Sequence, residues 1–286
     1  MNILVTGRGT SGSWQIRGQQ LGTAIGATVR PNAPLNGSGG YDLGIIVKRA
    51  PEDLLARARA ARLPLVYDVV DGWPQPHGNV EWQRDDCMAW LRHEINRIQP
   101  VGIVAATKAM AADCEEFGLP VLSLPHHARP DAVANPIRER VRIVGYEGAA
   151  HYLGRFRAPL EREAQARGWR FVAAADGDRT SLAFVDIVVA LRDCPGYAAK
   201  QWKSNVKLAN AQATGTPCIC TEESAYAETS TGGEIRVSKP DDIAAAFEGF
   251  RAQATRREAA AKLRTGEITL ERVATDYRQW LTTLKF

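Results

Sequence analysis

The stretch Lys200-Gln-Trp-Lys-Ser-Asn-Val-Lys-Leu-Ala-Asn-Ala-Gln-Ala-Thr-Gly-Thr-Pro217 carries the clearest signal for the fold. Ser204 is a residue type that caps helix N-termini, and Gly215 is the type that ends helices, because it adopts left-handed backbone conformations readily. A short apolar strand follows at residues 217–220. A helix that leads directly into such a strand is the repeating unit of parallel α/β sheets. The sequence therefore predicts a βαβ arrangement around this stretch.

The same alternation of short apolar runs and longer helical stretches extends in both directions along the chain. In the first half we expect strands at 2–6, 27–30, 43–47, 65–70, 102–105 and 121–124, and in the second half at 142–146, 170–174, 187–191, 217–220 and 234–237. Residues 129–140 are polar, contain two prolines and have no apolar period, which is typical of an interdomain linker.

These patterns predict an α/β protein of two Rossmann-like domains facing each other across a cleft. The first domain is expected over residues 1–130 and the second over residues 141–286. The last helix, at about 268–284, has an apolar stripe that includes Val273, Tyr277 and Leu281. Such a stripe is typical of a buried face, so we expect this helix at the domain interface.

The composition is that of an ordinary globular protein. Of the 286 residues 45% are hydrophobic and 24% charged, and the net charge is +4. No apolar run reaches the roughly 20 residues of a membrane span, and the N-terminal strand lacks the basic region of a signal peptide. The five cysteines form no CxxC pair, which argues against a zinc site and against a disulfide framework. Unpaired cysteines of this kind favour a reducing compartment. We expect a cytoplasmic monomer or homodimer.

The first strand runs into Gly7-Arg-Gly-Thr-Ser-Gly12, a GxGxxG pattern that is followed by a helix. This pattern occurs in dinucleotide sites, but the second strand ends in Arg30, where an acidic ribose ligand is expected. Three interpretations stay open: a nicotinamide dinucleotide site, a loop that faces a phosphate or an acceptor, and a simple tight turn. On the second interpretation the acceptor-side residues are Gly9, Thr10, Ser13 and Trp14, although Trp14 is equally suited to the core.

Lys203, Lys207 and Asn210 are spaced at i, i+4 and i+7, so they share one face of a helix that starts by Lys203. Two lysines at a helix N-terminus, with Ser204 as the cap, suit a bound phosphate. The alternative is an ordinary solvated helix face.

The motif Ala211-Gln-Ala-Thr-Gly-Thr-Pro217, with Glu222-Glu223 beyond the next strand, resembles the GT-B glycosyltransferase family. The resemblance implies a second domain that binds a nucleotide-sugar donor. Lys203 and Lys207 would contact the diphosphate, and Glu223 would lie near the sugar or nucleotide. The turn Glu147-Gly148 would form a phosphate-facing loop, and Arg192 would match a basic residue of the family.

The chain departs from the family where many members have two glutamates eight positions apart. Trp202 and Asn210 occupy those positions here, and Asn210 would offer the ribose a neutral hydrogen bond.

The candidates for a general base follow strands of the first domain, where ligands bind in open α/β sheets. They are Asp71, which could equally form a turn beside Gly72, and His126. The pair His126-His127 could equally be a surface turn with one buried ring.

The expected function is transfer of a sugar from a nucleotide-diphosphate donor, a UDP-sugar above all, to a hydroxyl of a saccharide, a small molecule or a hydroxymethylated base in DNA. No tightly bound cofactor and no metal are expected, because lysines and backbone amides can stabilise the leaving diphosphate. The alternatives are an NAD(P)-dependent reductase that uses the GxGxxG turn and a two-lobed binding protein without catalysis.

Overall fold

The computed structural model of the protein describes residues 1–9, 11–32, 40–71, 81–173, 182–193 and 195–285. The strands are β1 Ile3–Gly7, β2 Thr28–Val29, β3 Leu43–Val47, β4 Leu65–Asp68, β5 Gly102–Ala105, β6 Val121–Ser123, β7 Ile143–Tyr146, β8 Arg170–Ala173, β9 Ile187–Ala190, β10 Cys218–Thr221 and β11 Ile235–Val237. The helices are α1 Gly22–Ala24, α2 Glu52–Ala60, α3 Arg84–Ile98, α4 Lys108–Glu115, α5 Arg157–Ala166, α6 Tyr197–Gln201, α7 Val206–Thr214, α8 Ser224–Glu228, α9 Asp242–Gly249, α10 Gln253–Arg264 and α11 Leu270–Leu281. A π-helical segment, Trp14–Leu21, precedes α1, and a 3-10 segment, Ala150–Phe156, precedes α5.

The first sheet is parallel and has the strand order β2-β1-β3-β4-β5-β6. Its inner strands are mostly apolar, and β3 is buried along its whole length, as expected of a parallel sheet that is covered on both faces. The order reverses between β1 and β3. In open α/β sheets, ligands bind outside the carboxyl ends of the strands at such a switch point.

The second sheet is also parallel, in the order β11-β10-β9-β7-β8. Its order reverses between β7 and β9, so a second switch point lies where these two strands end. The strands β9 and β10 are fully buried, and their core includes Ile187, Val189 and Ile219. The fold class predicted from the sequence, α/β with two Rossmann-like sheets, is confirmed.

The chain divides into two compact units whose boundaries differ from the expected ones. The first unit comprises Met1–His126, Gly196–Ser204 and the residues from Thr269 on, and the second comprises His127–Pro195 and Asn205–Ile268. The expected linker at 129–140 packs within the second unit. There Asn135 is buried, and its Nδ2 donates to the carbonyl oxygens of Leu182 at 2.8 Å and Val185 at 2.7 Å.

The helix α11 packs in the first unit, although the sequence suggested that it belongs with residues 141–286. Its apolar stripe is core, since Val273, Tyr277 and Leu281 are buried. Trp280 lies over Gly102 at the start of β5, where a Cβ on the glycine would come within 2.9 Å of the indole ring. The period of a stripe reveals a buried face but not the sheet that this face covers.

Candidate functional site

At the carboxyl edge of the second sheet, the carboxylate of Glu147 follows β7 directly. Its Oε1 lies 3.1 Å from Arg129 Nη2, and its Oε2 accepts a hydrogen bond from Asn210 Nδ2 at 3.1 Å. Burial raises the pKa of Glu147, and the neighbouring Arg129, Asn210 and Lys207 oppose that rise. A buried carboxylate is thus held beside two cations at the switch point of this sheet.

Both ends of the Asn210 amide have protein partners. Its Oδ1 accepts a hydrogen bond of 3.1 Å from the backbone nitrogen of Arg129, while its Nδ2 donates to Glu147. The sequence suggested a contact between Asn210 and a ribose. In the structure the amide instead holds the carboxylate of Glu147 in place, and the side chain is buried.

Lys207 lies in the first turn of α7, with its Nζ 5.5 Å from the centre of the Tyr146 ring. An ammonium over an aromatic face is a favourable cation–π arrangement. Tyr146 ends β7, so the contact places the Lys207 ammonium near the turn at Gly148. At that glycine a Cβ would come within 3.1 Å of the same ring, and the backbone therefore packs closely on Tyr146.

The expectation that Lys203 shares a helix face with Lys207 and Asn210 is wrong. The helix α7 begins at Val206 with Asn205 at the N-cap position, so Ser204 is not its cap. Both Lys203 and Ser204 belong to the first unit. The physical reason is the burial of Trp202 among apolar residues of the first unit. Because Trp202 is fixed there, the adjacent residues Lys203 and Ser204 pack with the first unit and do not extend α7.

Arg192 and Glu223 form an ion pair at the ends of two neighbouring strands, β9 and β10. Arg192 Nη1 donates to Glu223 Oε2 at 2.6 Å, and Thr221 Oγ1 donates to Glu223 Oε1 at 2.7 Å. The guanidinium also lies over the ring of Tyr226, 5.8 Å from its centre. Arg192 and Glu223 were predicted separately as site residues, and the structure joins them into one ion pair in which the Glu223 carboxylate is buried.

At the carboxyl edge of the first sheet, Asp71 lies between two ammonium groups. Lys48 Nζ is 2.7 Å from its Oδ1, and Lys203 Nζ is 3.8 Å from its Oδ2. Lys48 Nζ also lies 3.4 Å from the hydroxyl oxygen of Ser13. The residue expected to act as a general base thus has a cation at each oxygen, which suits a counter-ion better than a proton acceptor.

The second candidate base, His126, is covered by protein. His126 and His127 are 2% and 1% exposed, and His127 Nδ1 lies 2.7 Å from the carbonyl oxygen of Ala128. The alternative of a surface turn with a single buried ring is therefore wrong, because both rings are inside.

Close packing explains two glycines of the GxGxxG turn. A Cβ on Gly7 would come within 2.6 Å of the Val47 carbonyl oxygen, and a Cβ on Gly9 within 2.5 Å of the Pro31 side chain. Trp14 is buried and packs against Gly18 of the same π-helical segment, so it is a core residue rather than a stacking platform. These contacts favour a tight turn over a dinucleotide site. Thr10 lies outside the described residues.

Sequence reasoning missed Arg129 and Lys48, and it named Glu147 only as part of the turn with Gly148, without a contact of its own. Glu147 and Lys48 each follow an expected strand directly, at 142–146 and 43–47, so the rule that led to Asp71 could have found them. Arg129 had no such signal, because it lies in the stretch that was interpreted as a linker.

The described ranges contain neither a cluster of metal-ligating side chains nor a membrane-spanning helix. Within them no three or more His, Cys, Asp or Glu side chains are placed to hold a metal ion. No helix of the same ranges is both long enough and apolar enough to cross a membrane. Four cysteines, Cys87, Cys114, Cys218 and Cys220, are free thiols and buried.

Comparison with known proteins identifies the fold. No family model matches the sequence, and no curated protein matches it significantly. Solved structures do match: HepE of Anabaena in complex with UDP and glucose superposes with a TM-score of 0.67 at 13% identity, over 99% of this chain and 100% of HepE. Sucrose-phosphate synthase of Thermosynechococcus elongatus gives 0.67 at 10% identity with the same coverage. The lipopolysaccharide outer core galactosyltransferase WaaB gives 0.58 at 10% identity, over 99% of each chain. The protein therefore has the fold of these structures, the two-domain GT-B fold.

Proposed function

We propose that this protein is a glycosyltransferase that moves a sugar from a nucleoside-diphosphate donor to a hydroxyl acceptor. The observation that carries the proposal is the carboxyl edge of the second sheet. The turn at Gly148, with Lys207 beside it, lies on the β7 side of the topological switch point. The Arg192–Glu223 pair lies on the β9 side. This is the place where open α/β sheets bind ligands. HepE, which has the same fold, holds UDP and glucose.

Each group has a distinct part in this proposal. The Lys207 ammonium and the backbone at Gly148 bind the diphosphate, and they stabilise the negative charge that develops on it as the sugar leaves. The Glu147 carboxylate, held by Arg129 and Asn210, keeps the loop after β7 in position. Glu223, fixed by Arg192 and Thr221, faces the sugar or the nucleotide. A UDP-hexose is the donor that best fits the solved relatives.

Titration calorimetry with UDP, GDP and NADP tests the donor site. We expect UDP to bind and NADP not to bind, and Lys207→Ala to weaken UDP binding by about tenfold or more, the size of a lost charge-assisted contact. Lys239→Ala is the matched control, because Lys239 is an exposed lysine of the same unit. Equal UDP affinity in Lys207→Ala and the parent protein would refute the assignment of the site.

Mass spectrometry of a nucleotide-sugar panel tests catalysis. Release of the nucleoside diphosphate from one donor, by slow hydrolysis or by transfer, separates a transferase from a non-catalytic binding protein. The same assay with EDTA tests the proposal that Lys207 and backbone amides stabilise the leaving group without a metal. Loss of activity in EDTA that Mg²⁺ restores would contradict that part.

A further inference from the structure

Two neighbouring strands of the first sheet end in the same unusual turn. The backbone nitrogen of Arg49 donates to the Val47 oxygen at 2.7 Å across Lys48, and the nitrogen of Asp71 donates to the Val69 oxygen at 2.8 Å across Val70. The central residues Lys48 and Val70 have φ of 64° and 68°. Three-residue turns with positive φ are rare and strained, and a β-branched residue such as Val70 avoids this region.

The two turns bring Lys48 and Asp71 together at the carboxyl edge of the sheet. The neighbouring strands β3 and β4 pair in register, with Val47 opposite Asp68. Just past the paired residues, the backbone nitrogen of Lys48 donates to the backbone oxygen of Asp68 at 2.8 Å. The Tyr67 hydroxyl donates to the backbone oxygen of Lys48 at 3.2 Å. Strained backbone conformations that surrounding contacts stabilise in this way occur preferentially at functional sites.

A third charged group reaches the same place from a distant part of the chain. Lys203 belongs to the segment Gly196–Ser204, which packs in the first unit, and its Nζ lies 3.8 Å from the second oxygen of Asp71. Ser13 completes the cluster through its contact of 3.4 Å with Lys48. The side chains of Lys48, Asp71 and Lys203 are 20%, 19% and 12% exposed, so each is partly open to solvent.

The charges of this cluster do not cancel. Lys48 and Lys203 bring two positive charges and Asp71 one negative charge, in a partly buried setting where water screens them incompletely. A lysine ammonium has three N–H donors, so it can bond to more than one acceptor at a time. Excess positive charge at a strand-end site raises the local concentration of anionic ligands.

We propose that Ser13, Lys48, Asp71 and Lys203 form a binding site for a phosphate group, and that this phosphate belongs to the acceptor of the proposed transfer reaction. The assignment of this phosphate to the acceptor rests on the proposed function, whereas the phosphate site itself rests on the geometry of the first unit. Lys48 and Lys203 bind the phosphate oxygens, and the Ser13 hydroxyl donates a further hydrogen bond. Asp71 competes with the phosphate for the two ammonium groups and lowers the affinity, so that a product can leave.

Calorimetric titration of inorganic phosphate into the full chain, at ionic strength held constant with chloride, tests the site. UDP at saturating concentration occupies the donor site of the second unit during the titration. We expect Lys48→Met and Lys203→Met each to weaken phosphate binding by about tenfold. Lys285→Met should leave it unchanged, because Lys285 is an exposed lysine of the same unit outside the cluster. Affinity equal to that of the parent protein in both cluster variants would overturn the proposal.

Asp71→Asn provides a readout that a purely structural ion pair would not give. Loss of the competing carboxylate should tighten phosphate binding severalfold, whereas damage to the fold would weaken it. A weaker affinity for phosphate in an Asp71→Asn variant whose circular dichroism spectrum is unchanged would also overturn the proposal. If UDP does not bind, the donor assignment fails separately. The phosphate titration is then run in Lys207→Ala without UDP, and it still reports on the cluster of the first unit.

Discussion

Trp202 Nε1 donates a 2.7 Å hydrogen bond to Asp113 Oδ2, although the two residues are 89 positions apart in the chain. The Tyr197 hydroxyl donates to the same oxygen at 2.8 Å, and Arg84 Nε donates to the other carboxylate oxygen at 2.9 Å. Asp113 thus holds the segment Gly196–Ser204, which supplies Lys203, in the first unit.

Asp113→Asn should destabilise the protein by about 2 to 3 kcal/mol, because an amide presents a donor to groups that are themselves donors in a buried setting. Urea unfolding followed by circular dichroism measures the change. Asp85→Asn, on the exposed face of α3, is the control and should cost a few tenths of a kcal/mol at most. Equal stability of the two variants would mean that Asp113 does not hold the segment.

The Arg192–Glu223 pair should separate stability from binding. Arg192→Met leaves the carboxylate of Glu223 buried and unpaired, which should cost about 3 kcal/mol. The double variant Arg192→Met/Glu223→Gln should recover most of that stability because no charge is left uncompensated. If Glu223 contacts the donor, the double variant should still bind UDP more weakly than the parent protein. Recovery of both properties would place this pair outside the site.

Gly102→Ala should destabilise the first unit by about 1 to 3 kcal/mol, since the added methyl group would meet the ring of Trp280. Trp280→Leu makes room at this contact, so the double variant should be more stable than the sum of the two single changes predicts. Thermal and urea unfolding of the four proteins give this coupling free energy. Strict additivity would contradict the packing of α11 on β5.

Glu147 should give the protein a pH-dependent stability with a defined sign. Burial raises the pKa of this carboxyl above its ordinary value of 4.5, so the folded chain binds the proton more tightly than the unfolded chain does. As pH rises from about 4.5 through the raised value, this group removes stability. Glu147→Gln abolishes that loss, and its free energy of unfolding relative to the parent protein should improve between pH 4.5 and pH 7. Glu139→Gln, at an exposed site, is the control; a relative stability of Glu147→Gln that falls over this interval would contradict the burial argument.

Four thiols should be inert in the native protein. Burial raises the pKa of Cys114 to about 12 and also raises the pKa values of Cys87, Cys218 and Cys220. Since the thiolate is the reactive form, iodoacetamide at pH 8 should label their peptides only in urea. Peptide mass spectrometry measures the labelling. Rapid modification of any of the four without denaturant would show that its surroundings open in solution.

The sheets could be predicted from the sequence because their information is local. The run at 43–47 is apolar throughout and forms β3 over the same residues, and the run at 187–191 forms β9 with a difference of one residue. The end of a strand also led to Asp71, since parallel strands present their carboxyl ends at one edge. The strands and Asp71 depend on apolar period and strand direction alone, whereas Arg192 and Glu223 were named through the resemblance to the GT-B family.

The start of α7 and the pairing of the site residues could not be predicted. Helix propensity permits a helix from Lys203, but the burial of Trp202 against Asp113 decides otherwise, and that contact is remote in sequence. The pairing of Asn210 with Glu147, and of Lys48 with Asp71, likewise depends on side-chain directions that only the packed units set. A single sequence indicates which residues reach an edge, but not which of them neutralise one another.

The return of the residues from Thr269 on to the first unit has a consequence for biosynthesis. A ribosome delivers the first sheet early, but Trp280, which covers Gly102 at the start of β5, emerges only after the whole second unit has been made. Domains generally fold in the order of their synthesis. In this chain the second unit, with the residues proposed for the donor site, can acquire its structure while the first still lacks its last helix. The unit that is translated first is thus expected to be the one that matures last.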